Sequence, residues 1–157
     1  MSNLSETIAK GLIYNYRDFN NRVISLAAPI SEEQFWVKPY KYGNSFGNLV
    51  LHLVGNMNYY IGTQIAQTGY IRDRSSEFSK ILTGQKNETL SELNSTCEMV
   101  IQTLTAQHED DWSKPYSAVG VDDVKDRFGI FMRCAVHFHH HVGQMIYLSK
   151  ELTKAVV

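Results

Sequence analysis

Cysteine is scarce in this 157-residue chain: Cys97 and Cys134 are the only two. Two are too few for a disulfide framework, and no zinc-ribbon spacing accompanies them. A basic excess is missing too. The formal net charge is -1, which leaves nothing to neutralise a run of phosphates and argues against nucleic-acid binding. No apolar run approaches the roughly 20 residues that a membrane-spanning helix needs. The opening MSNLSETIAK has no basic segment followed by an apolar stretch, so no signal peptide is expected, and the cytoplasm is the expected compartment. Internal repeats, low-complexity tracts and alternating strand patterns are also lacking.

What remains is ordinary globular composition, 43% hydrophobic and 20% charged, in a chain long enough for one domain over residues 1–157. The dominant pattern is helical. Leu4, Ile8, Leu12, Tyr16, Phe19, Val23 and Leu26 recur at steps of three and four, predicting a helix over about 4–27 that ends before Pro29. Ser31 followed by Gln34 reads as a capping box opening a short helical turn. A second helix is expected from about Ser45 to Thr68, closed by Gly69. The polar connection IRDRSSEFSKILTGQKN follows. Thr89 with Glu92 suggests a capping box for a third helix reaching about Gln107, and a last helix is expected from about Asp122 to Leu152. Four long helices without strands predict an all-α four-helix bundle, a fold that can hold metals between facing helices.

Histidine is concentrated. Four of the six fall within residues 137–141, inside an apolar run. At about 100° per residue, Phe131, Cys134, Phe138, Val142, Met145 and Leu148 share one face of the last helix. His141 lies inside that arc, His137 at its edge, and His139 and His140 outside it. His137 and His141 are an i, i+4 pair that can share one metal ion, although a pair of core imidazoles has the same spacing. Gln144 lies on the same side, and Cys134 one turn earlier reads as a ligand, a reactive thiol or inert packing. Asp126 and Glu151 are each about 15 Å along the helix from the pair, too far to complete the site. His108, beside HEDDW, reads as solvated. On the second helix His52 shares a lane with Ser45, Asn48, Asn56 and Tyr59, which suits a pocket wall, although by itself a helix-edge or satisfied core histidine is the better reading. Arg72 and Arg74 read as solvated, with an anionic substrate as the alternative.

The segments Asn44-Ser45, His52-Leu53, Gly55-Asn56, Arg72, Arg74, Glu77-Phe78, and His137, His141, Gly143 and Gln144 resemble the DinB/YfiT-like superfamily of metal-binding four-helix bundles. More narrowly they are similar to a bacterial branch described as a domain of unknown function, over about residues 30–151. The resemblance implies a metal site of His52, His137 and His141, with Gln144, Asn48, Asn56 and Cys134 as candidate supporting residues. It implies one divalent metal ion, zinc or nickel foremost and iron as a further candidate. Characterised relatives include transferases and isomerases that use bacillithiol, mycothiol or glutathione. The function expected is therefore low-molecular-weight-thiol S-transfer to small electrophiles. The alternatives are a non-catalytic, stress-related metal-binding module and a metal-dependent hydrolase. Off the core face of the last helix, Val136 and Tyr147 suggest a homodimer.

Overall fold

The computed structural model describes residues 4–79 and 85–154. Helix α1 spans Leu4–Ala27, α2 Glu32–Phe35, α3 Phe46–Met57, α4 Arg74–Ser79, α5 Lys86–Thr105 and α6 Arg127–Thr153. Among the described residues there is no strand, only an isolated bridge between Pro115 and Asp126. The four long helices form the bundle, with α1 against α5 and α6, and α3 against α5 and α6. None of them is long and apolar enough to cross a membrane.

The apolar periodicity of α1 becomes packing. Leu12, Tyr16, Phe19 and Val23 are buried, and the Tyr16 hydroxyl donates to the Phe131 carbonyl of α6 at 2.9 Å. The α6 face meets them with Phe131, Phe138, Val142 and Met145, all fully buried. Each such side chain contributes about 1.5–3 kcal/mol by leaving water. Truncating Phe138 to alanine would cost about 3–5 kcal/mol, since the cavity adds to the lost transfer energy.

Helix α2 has the expected capping box: Ser31 Oγ accepts from Gln34 N at 3.2 Å, and Ser31 N donates to Gln34 Oε1 at 2.9 Å. It presses Phe35 and Trp36 onto α3 at Gly47, where a Cβ would lie 2.5 Å from the Trp36 ring. Ser45 caps α3, accepting from Asn48 N at 3.0 Å. Of the twelve residues of α3 only Leu51 escapes full burial, so this is a helix covered on nearly every side. The polar lane through His52 is therefore a wall under cover. Helix α4 supplies the cover.

Three boundaries differ from expectation. The second helix does not run as one α-helix to Thr68. It changes at Asn58 into a π-helical turn to Thr63, with Ala66 N donating to Ile61 O, and Gly69 takes φ +75° beyond it. One inserted residue re-aims Tyr59 and Tyr60, as π turns do at functional sites. Thr89 does not cap α5: its hydroxyl donates to the Gln85 carbonyl at 2.7 Å inside the helix, which starts at Lys86. Helix α6 begins at Arg127 rather than Asp122. Asp126 caps it by accepting from Gly129 N at 2.7 Å, and Tyr116 N bonds to Lys125 O in the non-helical segment before it. The polar connection contains α4, while its Lys80–Gly84 part lies outside the described residues.

Candidate metal centre

Helix α3 brings His52, and α6 brings His137 and His141, to one point. His137 Nε2 stands 3.2 Å from His52 Nε2 and 3.0 Å from His141 Nε2, and the three ligand atoms lie within 4.8 Å of one another. The two residues of α6 meet because i and i+4 side chains stack along a helix face. His52 meets them because α3 packs directly on α6.

The tautomers follow from the far side of each ring. His52 Nδ1 donates to Glu77 Oε2 at 2.8 Å, which leaves its Nε2 as a bare lone pair. His141 Nδ1 donates to Gln144 Oε1 at 2.7 Å, with the same result. Two lone pairs then converge on His137, whose single Nε2 hydrogen can satisfy only one of them. A cation satisfies all three. At metal–nitrogen bonds of about 2.0–2.1 Å, donor nitrogens sit about 3.0 Å apart at right angles and about 3.4 Å apart in a tetrahedron. The two spacings from His137 fall in that range. The donor set is three imidazoles, the borderline-soft chemistry suited to zinc, nickel or iron(II).

Protonation is held down where an ion needs it to be. Burial, then the neighbouring His141 and His52, push His137 down from 6.5 to about 3. Burial pushes His141 down to about 4, against the upward pull of its bond to Gln144. Both rings are thus neutral near pH 7, the form in which an imidazole can bind a metal ion. His137 Nδ1 is buried and has no partner among the described residues.

Glu77 is the residue that sequence reasoning passed over as a support. It sits on α4, buried, and its carboxylate joins His52 to Arg72: Arg72 Nε donates to Oε1 at 2.7 Å and an Arg72 terminal nitrogen to Oε2 at 3.0 Å. Burial alone would raise its pKa, but the hydrogen bonds from His52 and Arg72 overcome this and hold it below the ordinary value. A charged carboxylate behind a ligand imidazole fixes the ring and strengthens it as a donor. The approach is tight. A Cβ on Gly55 would come 2.1 Å from Glu77 Oε1, so only glycine fits beneath the carboxylate. The signal available in the sequence was Glu77 in the R-x-R-x-x-E-F segment, together with Gly55 one turn past His52.

The other candidates divide. Gln144 bonds His141. Asn48 instead donates to the Glu77 backbone carbonyl at 3.0 Å, tying α4 onto α3. Asn56, whose Oδ1 has no hydrogen-bond partner among the described residues, lines a cavity of about 950 Å³ beside the triad, as does Cys134. Cys134 stands outside the ligand cluster, and burial pushes its thiol up to about 12. His139 packs on Phe19 with ring centroids 5.1 Å apart. His140, expected to point away, sits at the cavity rim with Nε2 3.3 Å from Gln144 Nε2, because the long Gln144 side chain bridges adjacent lanes. Arg72, expected in solvent, is half-buried and paired with Glu77, whereas Arg74 is exposed. His108 is exposed as expected.

A protein family of unknown function, DUF1572, matches residues 3–156. The chain belongs to this DinB-like family. No curated protein and no solved structure matches the DUF1572 chain. Its histidine cluster can coordinate a metal ion, in keeping with a DinB-like metal-binding four-helix bundle.

Proposed function

We propose that this protein is a divalent-metal enzyme that activates a low-molecular-weight thiol for transfer to a small electrophile. The observation that carries the reading is a cluster of three imidazoles bordering a cavity of about 950 Å³. Structural zinc sites are ordinarily closed by four protein ligands, and three ligands leave a position for a small molecule. A bound ion would supply the acidity that makes a thiolate or hydroxide available near neutral pH.

The chain's own residues would do the rest. Glu77 and Gln144 orient the rings of His52 and His141. Tyr60, whose hydroxyl donates to the Val119 carbonyl at 3.2 Å, holds the loop that walls the cavity. Cys134, kept protonated by burial, does not compete as a nucleophile. In the reaction a sulfur–carbon bond forms, the bond from carbon to the leaving group breaks, and the thiol proton departs with that group. The cytoplasm, where such thiols are reduced, suits two buried, unpaired cysteines. We further propose a homodimer through the outer face of α6, where Val136 and Tyr147 are exposed.

Metal analysis of tag-free protein, followed by a screen of thiols against small electrophiles, tests the reading. One ion per chain with thiol-dependent turnover supports it. Tight metal binding without turnover favours the non-catalytic module, and turnover with water alone favours the hydrolase. A monomeric mass by light scattering at tens of micromolar removes the dimer.

A further inference from the structure

The cavity beside the triad has a charge that the chain as a whole lacks. Arg72, Arg74 and Arg133 line it, and no acidic side chain does so among the described residues, in a protein of net charge -1. The three arginines are committed to different degrees. Glu77 neutralises Arg72. Arg133 pairs with Asp123 at 2.7 Å, but both side chains are substantially exposed, and such a surface pair is easily exchanged. Arg74 has no acidic partner among the described residues and rests over the Phe78 ring at 5.8 Å. A second observation is independent of charge. Asn56 is 8% exposed and lines the cavity, yet its Oδ1 is buried without a partner. A buried amide left unsatisfied is costly, and a polar ligand in the cavity would satisfy it.

We infer that the small molecule meeting the triad carries a carboxylate at the end remote from its metal-binding atom, received by Arg74 and Arg133, with Asn56 bonding its polar middle. This rests on the proposed metal centre and deepens it by naming a substrate class. Guanidinium groups suit the assignment because their planar forks match carboxylates with two parallel hydrogen bonds. Three imidazole ligands would also leave the charge of a divalent ion uncancelled in the same cavity. A molecule with a donor atom and a separate anionic group therefore fits both the triad and the arginines.

The test uses the full chain loaded with cobalt and two hydroxamates, whose metal-binding heads are the same. Acetohydroxamate is neutral at its tail, and the monohydroxamate of succinate ends in a carboxylate. Affinity is read from the cobalt absorption spectrum. The carboxylate probe should bind about tenfold or more tightly, as expected of a charge-assisted bond. Arg74→Gln with Arg133→Gln should remove most of that advantage and leave acetohydroxamate unchanged. A third probe, the hydroxamate of N-succinylglycine, carries an amide N–H in its middle that can donate to Asn56 Oδ1, and Asn56→Leu should weaken that probe alone. Equal affinities in the unaltered protein would overturn the inference, as would an advantage that survives loss of both arginines. Failure of either probe to reach the cobalt would also overturn it. A carboxylate preference without thiol turnover defeats the S-transfer reading only. Turnover without the preference defeats this inference only.

Discussion

Replacing Gly55 by alanine sets two effects of opposite sign against each other. In the interior of a helix the exchange should stabilise by about 1 kcal/mol, because alanine loses less backbone freedom on folding. Here the new methyl would stand 2.1 Å from Glu77 Oε1 and 2.8 Å from its carboxylate carbon. That is about 1 Å or more inside contact distance. The carboxylate has little room to yield, held by Arg72 on both oxygens and by Asn48 through its own backbone carbonyl. A retreat of about 1 Å stretches the 2.8 Å bond to His52 past hydrogen-bonding range. Losing a buried, charge-assisted bond costs about 1.5–3 kcal/mol. The net expectation is a destabilisation of about 0.5–2 kcal/mol, a Tm lower by about 2–6 °C for a chain of this size. Metal affinity should fall about 10–100-fold, the usual cost of losing a carboxylate behind a ligand histidine. Thermal unfolding in chelator and competitive metal titration measure the two quantities separately. Adding Glu77→Asp to Gly55→Ala shortens the side chain by one methylene and should restore part of the affinity. If Gly55→Ala raises the Tm by a few degrees and leaves metal affinity within threefold, then Glu77 is not confined in this way and the account of His52 is wrong.

Other outcomes follow from the same geometry. Replacing His139 and His140 together by alanine should leave one ion per chain by elemental analysis, because neither ring belongs to the ligand cluster. Cys134→Ala should also retain the ion, and in cobalt-loaded protein a sulfur-to-metal band should appear only on adding a thiol; a band present beforehand and lost in the variant would mean a closed site. Metal-free protein should lose stability as pH falls from about 6.5 towards 4, since the folded values of His137 and His141 lie near 3 and 4 while the unfolded chain takes up protons near 6.5. Urea titrations across that window should flatten in a His137→Gln, His141→Gln protein. Gly47→Ala should destabilise by about 1–3 kcal/mol through overpacking against Trp36, visible as a lower midpoint in urea.

The fold was legible where one side of a helix faces the core. The apolar steps of α1 and α6 gave both helices and their buried faces, and the Ser31–Gln34 box located α2. Hydrophobic periodicity cannot register a single inserted residue, so the π turn at Asn58–Thr63 was invisible. It also says nothing about which polar segment will be folded over a polar lane. His52 could be a wall or an edge until α4 was seen to cover it. The i, i+4 pair on α6 was local and could be read from spacing, whereas Glu77 meets His52 across 25 residues, through a packing of α4 on α3 that leaves no periodic trace. Its burial is tolerable only because Arg72 accompanies it, and in sequence both look like surface charges. Asn56 and Cys134 belong to the cavity rather than to the ligands, a distinction of angstroms within one helical face.

The three histidines of the candidate site are unequal in time as well as in place. His137 and His141 stand four residues apart, but His52 lies 85 residues before His137. On a ribosome, α3 emerges long before its partner helix and waits with one imidazole and no site. When α6 appears it brings a ready pair that can hold an ion weakly as soon as that helix forms, before it docks. The ion can thus arrive with α6 and gain its third ligand only when the bundle closes. The affinity difference between the pair and the triad is the part of metal binding that drives closure, because an ion held equally by both states favours neither. A peptide spanning Arg127–Thr153, which carries the pair alone, should bind metal more weakly than the whole chain, and the difference in affinity is that drive.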